Sequence, residues 1–116
     1  MDNHYLNINR IGVDSKTKKD DIERMMKDVD VIGHRNTMAM NLSGGNRRKL
    51  SVAIALIGDS KFVLLDEPTA GMDLSARRKL WNMLKNYKRN KIIILTTHYM
   101  DEADILGDRI GIMAGG

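Results

Sequence analysis

The chain has 116 residues, a formal net charge of +4, 42% hydrophobic and 29% charged residues and no cysteine. That balance suits one modest soluble domain and excludes a disulfide framework, a thiolate metal site and a Cys nucleophile. No run of about 18 apolar residues offers a transmembrane helix, and the first residues do not read as a signal peptide.

The positive charge falls in short clusters, Lys16 to Lys19, Arg47 to Lys49, Arg77 to Lys79 and Lys85 to Lys91. Aromatic residues make up only 4% of the chain, too few for a base-stacking platform, so no nucleic-acid partner is expected. The clusters read as solvated helix faces.

Residues 1–13 carry little information: Tyr5, Leu6, Ile8 and Ile11 suit a strand or a helix end equally. His4 and His34 lack a second ligand at helical spacing and read as surface or loop histidines. A helix is expected from Asp14 or Ser15, with Ile22, Met25, Met26 and Val29 on one face. Gly33 should end that unit, with a polar connection from His34 to Asn41.

Leu42-Ser-Gly-Gly-Asn46 follows. Ser43 suits an N-cap, and Gly44 and Gly45 let a backbone approach closely. The following helix should bury Leu50, Ala53, Ile54 and Ile57 and stop at Gly58. Its N-terminus offers free N–H groups and the positive end of a dipole, a ready anion site but, alone, a weak signal.

Phe62 to Leu65 reads as a short strand buried on both faces, ended by Asp66, Glu67 and Pro68. Thr69-Ala-Gly-Met-Asp73 is a turn, with Asp73 placed to cap the next helix. That helix carries Leu80, Leu84 and Tyr87 on one face, Trp81 and Met83 beside them, and a basic opposite side of Arg77, Arg78, Lys85 and Lys88. Lys91 to Thr97 is a second buried strand, ending at His98. A short helix from Tyr99 to Leu106 opens with Asp101, Glu102 and Asp104, whose charges suit its dipole. Arg109 to Met113 reads as a last strand. Strands alternating with helices predict a parallel α/β sheet.

Open α/β sheets keep their chemistry at the carboxyl ends of the strands. There Asp66 can hold Mg²⁺ through hard oxygen, and Glu67 can polarise a water. His98 can donate a hydrogen bond to a γ-phosphate. Singly, each also has an ordinary explanation: a turn former, an exposed charge, a strand-end imidazole.

Taken in order, the motifs resemble the second half of an ATP-binding cassette (ABC) ATPase domain. Leu42-Ser-Gly-Gly-Asn46 is similar to the family's signature motif, and Phe62-Val-Leu-Leu-Asp-Glu67 to its Walker B strand and catalytic carboxylate. Ala70-Gly-Met-Asp73 resembles the D-loop, and His98 the switch histidine. The resemblance runs from about Asp20 to the end of the chain. Asn46 stands where the signature usually has Gln, and Leu74 where Pro often follows Gly-Met-Asp. The run Arg47-Arg-Lys-Leu-Ser-Val-Ala-Ile-Ala-Leu-Ile-Gly58, with Met100-Asp-Glu-Ala-Asp104, is most similar to subfamily A, whose members are associated with lipid movement.

The resemblance implies the C-terminal half of a RecA-like P-loop NTPase sheet, with residues 15–58 a remnant of the helical subdomain and 59–116 the Walker B half of the core. It implies ATP and Mg²⁺ as cofactors, with Asp66 on the metal and Glu67 and His98 catalytic. Ser43, Gly44, Gly45 and Asp73 would serve nucleotide at the seam with a second cassette, paired head to tail. Transmembrane domains of a parent transporter would be further partners, placing the chain at the cytoplasmic face of a membrane.

One departure matters. No Gly-x-x-x-x-Gly-Lys-Ser/Thr motif occurs, and no Gly-Lys dipeptide, so the phosphate cradle is missing from these residues. The chain alone is expected to be inactive and marginally folded. Two alternatives are a soluble ABC-type ATPase of DNA repair or translation, and a non-catalytic short product or gene fragment.

Overall fold

A computed structural model describes residues 15–58 and 60–116, with the side chains of 15–17 excepted. The expectations for Tyr5, Leu6, Ile8, Ile11 and His4, and a cap at Asp14, lie outside the described residues. Four helices and two strands follow in the order α1 (Ser15–Asp28), α2 (Gly44–Leu56), β1 (Phe62–Asp66), α3 (Leu74–Tyr87), β2 (Ile92–Thr96) and α4 (Met100–Leu106). Short 3-10 turns occupy Ile32–His34, Ala39–Asn41 and Lys88–Asn90.

β1 and β2 pair in parallel, Phe62 opposite Ile92 and Asp66 opposite Thr96. A parallel pair needs a crossover, and α3 supplies it. The core gathers on one face of this sheet. Met25 comes from α1 and Val29 from the turn just after it, Val52, Ala53 and Leu56 from α2, Val63 and Leu65 from β1, and Leu80, Met83 and Leu84 from α3.

The two strands differ from the expectation of burial on both faces. Side chains alternate along a strand, and the described helices cover one side only. Val63 and Leu65 are buried, whereas Phe62 is 52% exposed, Leu64 66%, Ile92 66% and Ile94 49%. The expected last strand is also absent. Residues 109–113 form no ladder, and Ile110, Ile112 and Met113 are exposed. A strand exists only where a neighbour completes its hydrogen bonds, and none pairs with this segment among the described residues.

The helix ends show how local chemistry sets the frame. α1 stops at Asp28, earlier than Gly33 suggested, because Asp30 adopts the left-handed region at φ 59°. The Val31 N–H then bonds to the Met26 carbonyl at 2.9 Å and the Asp30 N–H to that of Lys27 at 3.0 Å. This is a Schellman closure with Asp at the position glycine usually takes. α2 ends as expected, with Gly58 at φ 98°. Its buried face is rotated from the expected one: Val52, Ala53 and Leu56 are buried and Ile54 is 46% exposed.

Several basic residues of the charged clusters also bond between elements, Lys79 while remaining exposed as expected. Lys49 reaches Asp30 at 3.8 Å, and Lys79 reaches the same oxygen at 3.2 Å, tying α2 and α3 to the end of α1. Lys88 donates to the Leu106 carbonyl at 3.2 Å and to Asp108 at 2.8 Å. Lys91 caps the carbonyls of Gly58 and Ser60 at 2.9 and 2.6 Å. Among the described residues no helix is long and apolar enough to cross a membrane.

Candidate functional site

The site forms where β1 and β2 end side by side. Asp66 is the last residue of β1, and one of its carboxylate oxygens accepts from the Thr96 hydroxyl on β2. Glu67 follows with φ 44°, a left-handed conformation that costs a non-glycine residue about 1–3 kcal/mol. It is held at every polar group. Its N–H donates to the Thr96 carbonyl at 3.0 Å and to the Thr96 hydroxyl at 3.1 Å. Its carbonyl accepts from the Ala70 N–H at 3.1 Å and from Arg48 Nη1 on α2. Its carboxylate lies 3.1 Å from His98 Nδ1. Glu67 and His98 keep side-chain exposures of 46% and 60%, so both remain within reach of a ligand.

The remaining expected site residues lie in two further places. Ser43 caps α2 by accepting from the Asn46 N–H at 3.2 Å. A methyl group added at Gly44 or Gly45 would meet nothing within 4 Å, so no packing among the described residues requires glycine there. Gly44 and Asp66 do line one cleft of about 530 Å³ between α2 and β1, together with Arg47, Arg48, Ser51 and Pro68. Asp73 caps α3 by accepting from the Ala76 N–H at 2.7 Å, apart from the Glu67–His98 pair.

A buried node behind the site escaped the sequence reading. Glu102, expected only as an acid that suits the dipole of α4, is 0% exposed, as is Thr69. Glu102 Oε1 accepts from the Thr69 hydroxyl at 2.7 Å and from Trp81 Nε1 at 2.9 Å. Arg77, expected on the solvated side of α3, has a side chain only 12% exposed. Its guanidinium lies 3.8 Å over the Tyr99 ring and 5.0 Å from the centre of Trp81, and it pairs with Asp101 at 3.2 Å. The node clamps the turn after Glu67 to the helix after His98. A cluster of Trp, Arg and Tyr on adjoining elements was the available signal.

For Mg²⁺ the donor chemistry suits one position. Asp66 is an exposed carboxylate at a strand end, the hard oxygen this cation favours. Among the described residues no group of three or more acidic or His side chains could hold a metal unaided. Protein-poor coordination of that kind is usual for Mg²⁺, which keeps waters and takes phosphate oxygens.

Comparison with known proteins decides the family. The ABC transporter family model matches residues 2–70, reaching further toward the N-terminus than the motifs did. The chain belongs to the ABC transporter family. Within it, subfamily A relatives stand near. The retinal-specific phospholipid-transporting ATPase ABCA4 of Homo sapiens is 53% identical over 96 residues, which is 83% of this chain and 4% of that protein. ABC transporter A family member 11 of Arabidopsis thaliana is 51% identical over 105 residues, 90% of this chain and 11% of that protein. The ABC chain thus spans a small part of the relatives it matches.

Solved structures agree on the fold. The ATP-binding cassette MJ1267 of an ABC transporter aligns with a TM-score of 0.61 at 19% identity, over 80% of this chain and 37% of that one. An inward-facing transporter of metal-chelate type aligns at 0.65 and 23% identity, over 85% and 41%. The parallel strand pair and its flanking helices are therefore part of an ABC ATPase fold.

Proposed function

We propose that this chain supplies the Walker B, D-loop and signature half of an ATP-hydrolysing domain whose parent protein moves lipid across a membrane. The observation that carries the reading is the Glu67–His98 contact, 3.1 Å across two adjoining strand ends, on a carboxylate whose backbone is fixed from three sides. A general base must be held in place and reachable, and this one is both.

In this reading Glu67 accepts a hydrogen bond from the attacking water and orients it in line with the γ-phosphate. His98, bonded to Glu67 through Nδ1, directs its other ring nitrogen toward that phosphate. Asp66 would hold Mg²⁺ through its carboxylate, and the ion would supply positive charge to the nucleotide's phosphates. Ser43, Gly44 and Gly45 present the α2 N-terminus to nucleotide bound by a second cassette, and Asp73 lies at that seam. Among the described residues nothing crowds either glycine, which supports an approach by another molecule. The lipid assignment leans on the phospholipid-transporting relative, and transmembrane domains and a place at the cytoplasmic face of a membrane come with it.

A phosphate cradle must come from elsewhere, because the 116 residues contain no P-loop. The isolated chain should therefore show no ATP turnover above buffer. In the parent protein, Glu67→Gln should lower turnover by about 10²–10⁴-fold, the usual contribution of a general base. Steady-state phosphate release checks both. Turnover by the isolated chain, or an undiminished rate in the parent variant, would sink this assignment.

A further inference from the structure

Glu67 is held by β2 at its N–H, by His98 at its carboxylate and by α2 at its carbonyl. The first two belong to the sheet ends. The third comes from a different part of the chain, nineteen residues earlier. Arg48 lies on α2 one helical turn beyond Gly44, about 6 Å along the axis. Its side chain is half-buried, and Nη1 donates to the Glu67 carbonyl. The same helix begins with the Ser43 cap and the two glycines, and it packs against β1.

We propose that Arg48 is a positioning residue that couples the Ser43–Gly45 turn to Glu67 through the Glu67 carbonyl. The proposal rests on the ATPase reading for its purpose, though not for its geometry. A helix moves nearly as a rigid body, so displacement of its first turn carries Arg48 with it. The peptide it grips is in a sparsely populated backbone region, which persists only when its surroundings over-determine it. Loosening one of those holds lets Glu67 leave the left-handed region and changes where its carboxylate sits relative to His98. Engagement of the turn would thus be felt at the carboxylate without contact between the two. Arginine suits the task better than lysine, because a planar guanidinium fixes direction as well as charge.

The test is a double-mutant cycle read by NMR on the isotope-labelled 116-residue chain without nucleotide, comparing wild type, Ser43→Ala, Arg48→Met and the double variant. Removing the cap should move the Glu67 amide and His98 ring resonances when Arg48 is present. In the Arg48→Met background that response should be lost. The indole resonance of Trp81, in the buried node, should stay in place throughout; a merely structural role for Arg48 would move it as well. Equal responses in both backgrounds, or a Glu67 amide indifferent to Arg48→Met, would overturn the coupling. Should Arg48→Met unfold the chain, Arg48→Lys takes its place. A shifted Glu67 amide with a fixed Trp81 indole then supports the proposal, and an unshifted amide refutes it. Because no nucleotide is present, this outcome is separable from the Glu67→Gln turnover assay. Coupling without an effect of Glu67→Gln leaves the link intact and removes its catalytic purpose, and the reverse pair of results rejects the link alone.

Discussion

Thr69 and Glu102 show how much a single hidden hydroxyl can carry. Glu102 Oε1 takes both of its hydrogen bonds from neutral donors, and Oε2 is buried with no partner among the described residues. A buried carboxylate so thinly served cannot lose a donor cheaply. Thr69→Val keeps the shape and removes the hydroxyl, and should destabilise the fold by about 1–3 kcal/mol. The chain has one tryptophan, and its indole N–H donates to the same Glu102 oxygen, so Trp81 emission during urea unfolding reports directly on the node. An unchanged midpoint would mean that the bond contributes nothing net. Glu102 itself was illegible in the sequence, where an acid in a first helical turn is the ordinary macrodipole arrangement. Burial depends on Trp81 and Thr69 arriving from elsewhere in the chain, and no local pattern encodes that. The positions of Asp66, Glu67 and His98 at two strand ends were legible because an apolar run stops just before each group.

At the scale of elements, the caps at Ser43 and Asp73 form as their sequences suggest, since an N-cap is decided within three or four residues. The end of α1 was misplaced because a left-handed Asp30 is an exception to the usual glycine. What fixes α1 against α3 is also non-local. The Tyr87 hydroxyl donates to Asp28 at 3.3 Å, joining the last residues of the two helices. Partial burial, and then the neighbouring Asp28 charge, raise the Tyr87 pKa above its ordinary value of 10.0. The folded state thus holds the phenolic proton more tightly than the unfolded chain does. Its stabilising contribution is complete below pH 10.0 and disappears as pH climbs through the higher folded value. Tyr87→Phe should remove that part of the alkaline loss. Urea melts of the two proteins, on either side of that pH, should show the gap between them narrowing as the medium becomes more alkaline. A constant gap would place the tie elsewhere.

For the whole molecule, the sheet is the point of tension. Parallel strands are ordinarily covered on both faces. Here one face packs on α1, α2 and α3, while Phe62, Leu64, Ile92 and Ile94 stand exposed on the other, aligned by the register that sets Phe62 opposite Ile92 and Leu64 opposite Ile94. Apolar runs in the sequence promised buried strands but could not say that, among the described residues, one face has no cover. A contiguous apolar face on a short sheet with open edges favours association between copies. The isolated chain should therefore self-associate as its concentration rises. Replacing both Leu64 and Ile94 by Thr should suppress that association, because the pair sits at the centre of the bare face and Thr keeps strand propensity. Neither side chain belongs to the buried core, so the melting temperature at low concentration should change little. Sedimentation velocity over a concentration series separates the outcomes. A wild-type chain that stays monomeric at high concentration would show that this face is tolerated bare. Association that survives the double substitution would move the contact to another surface.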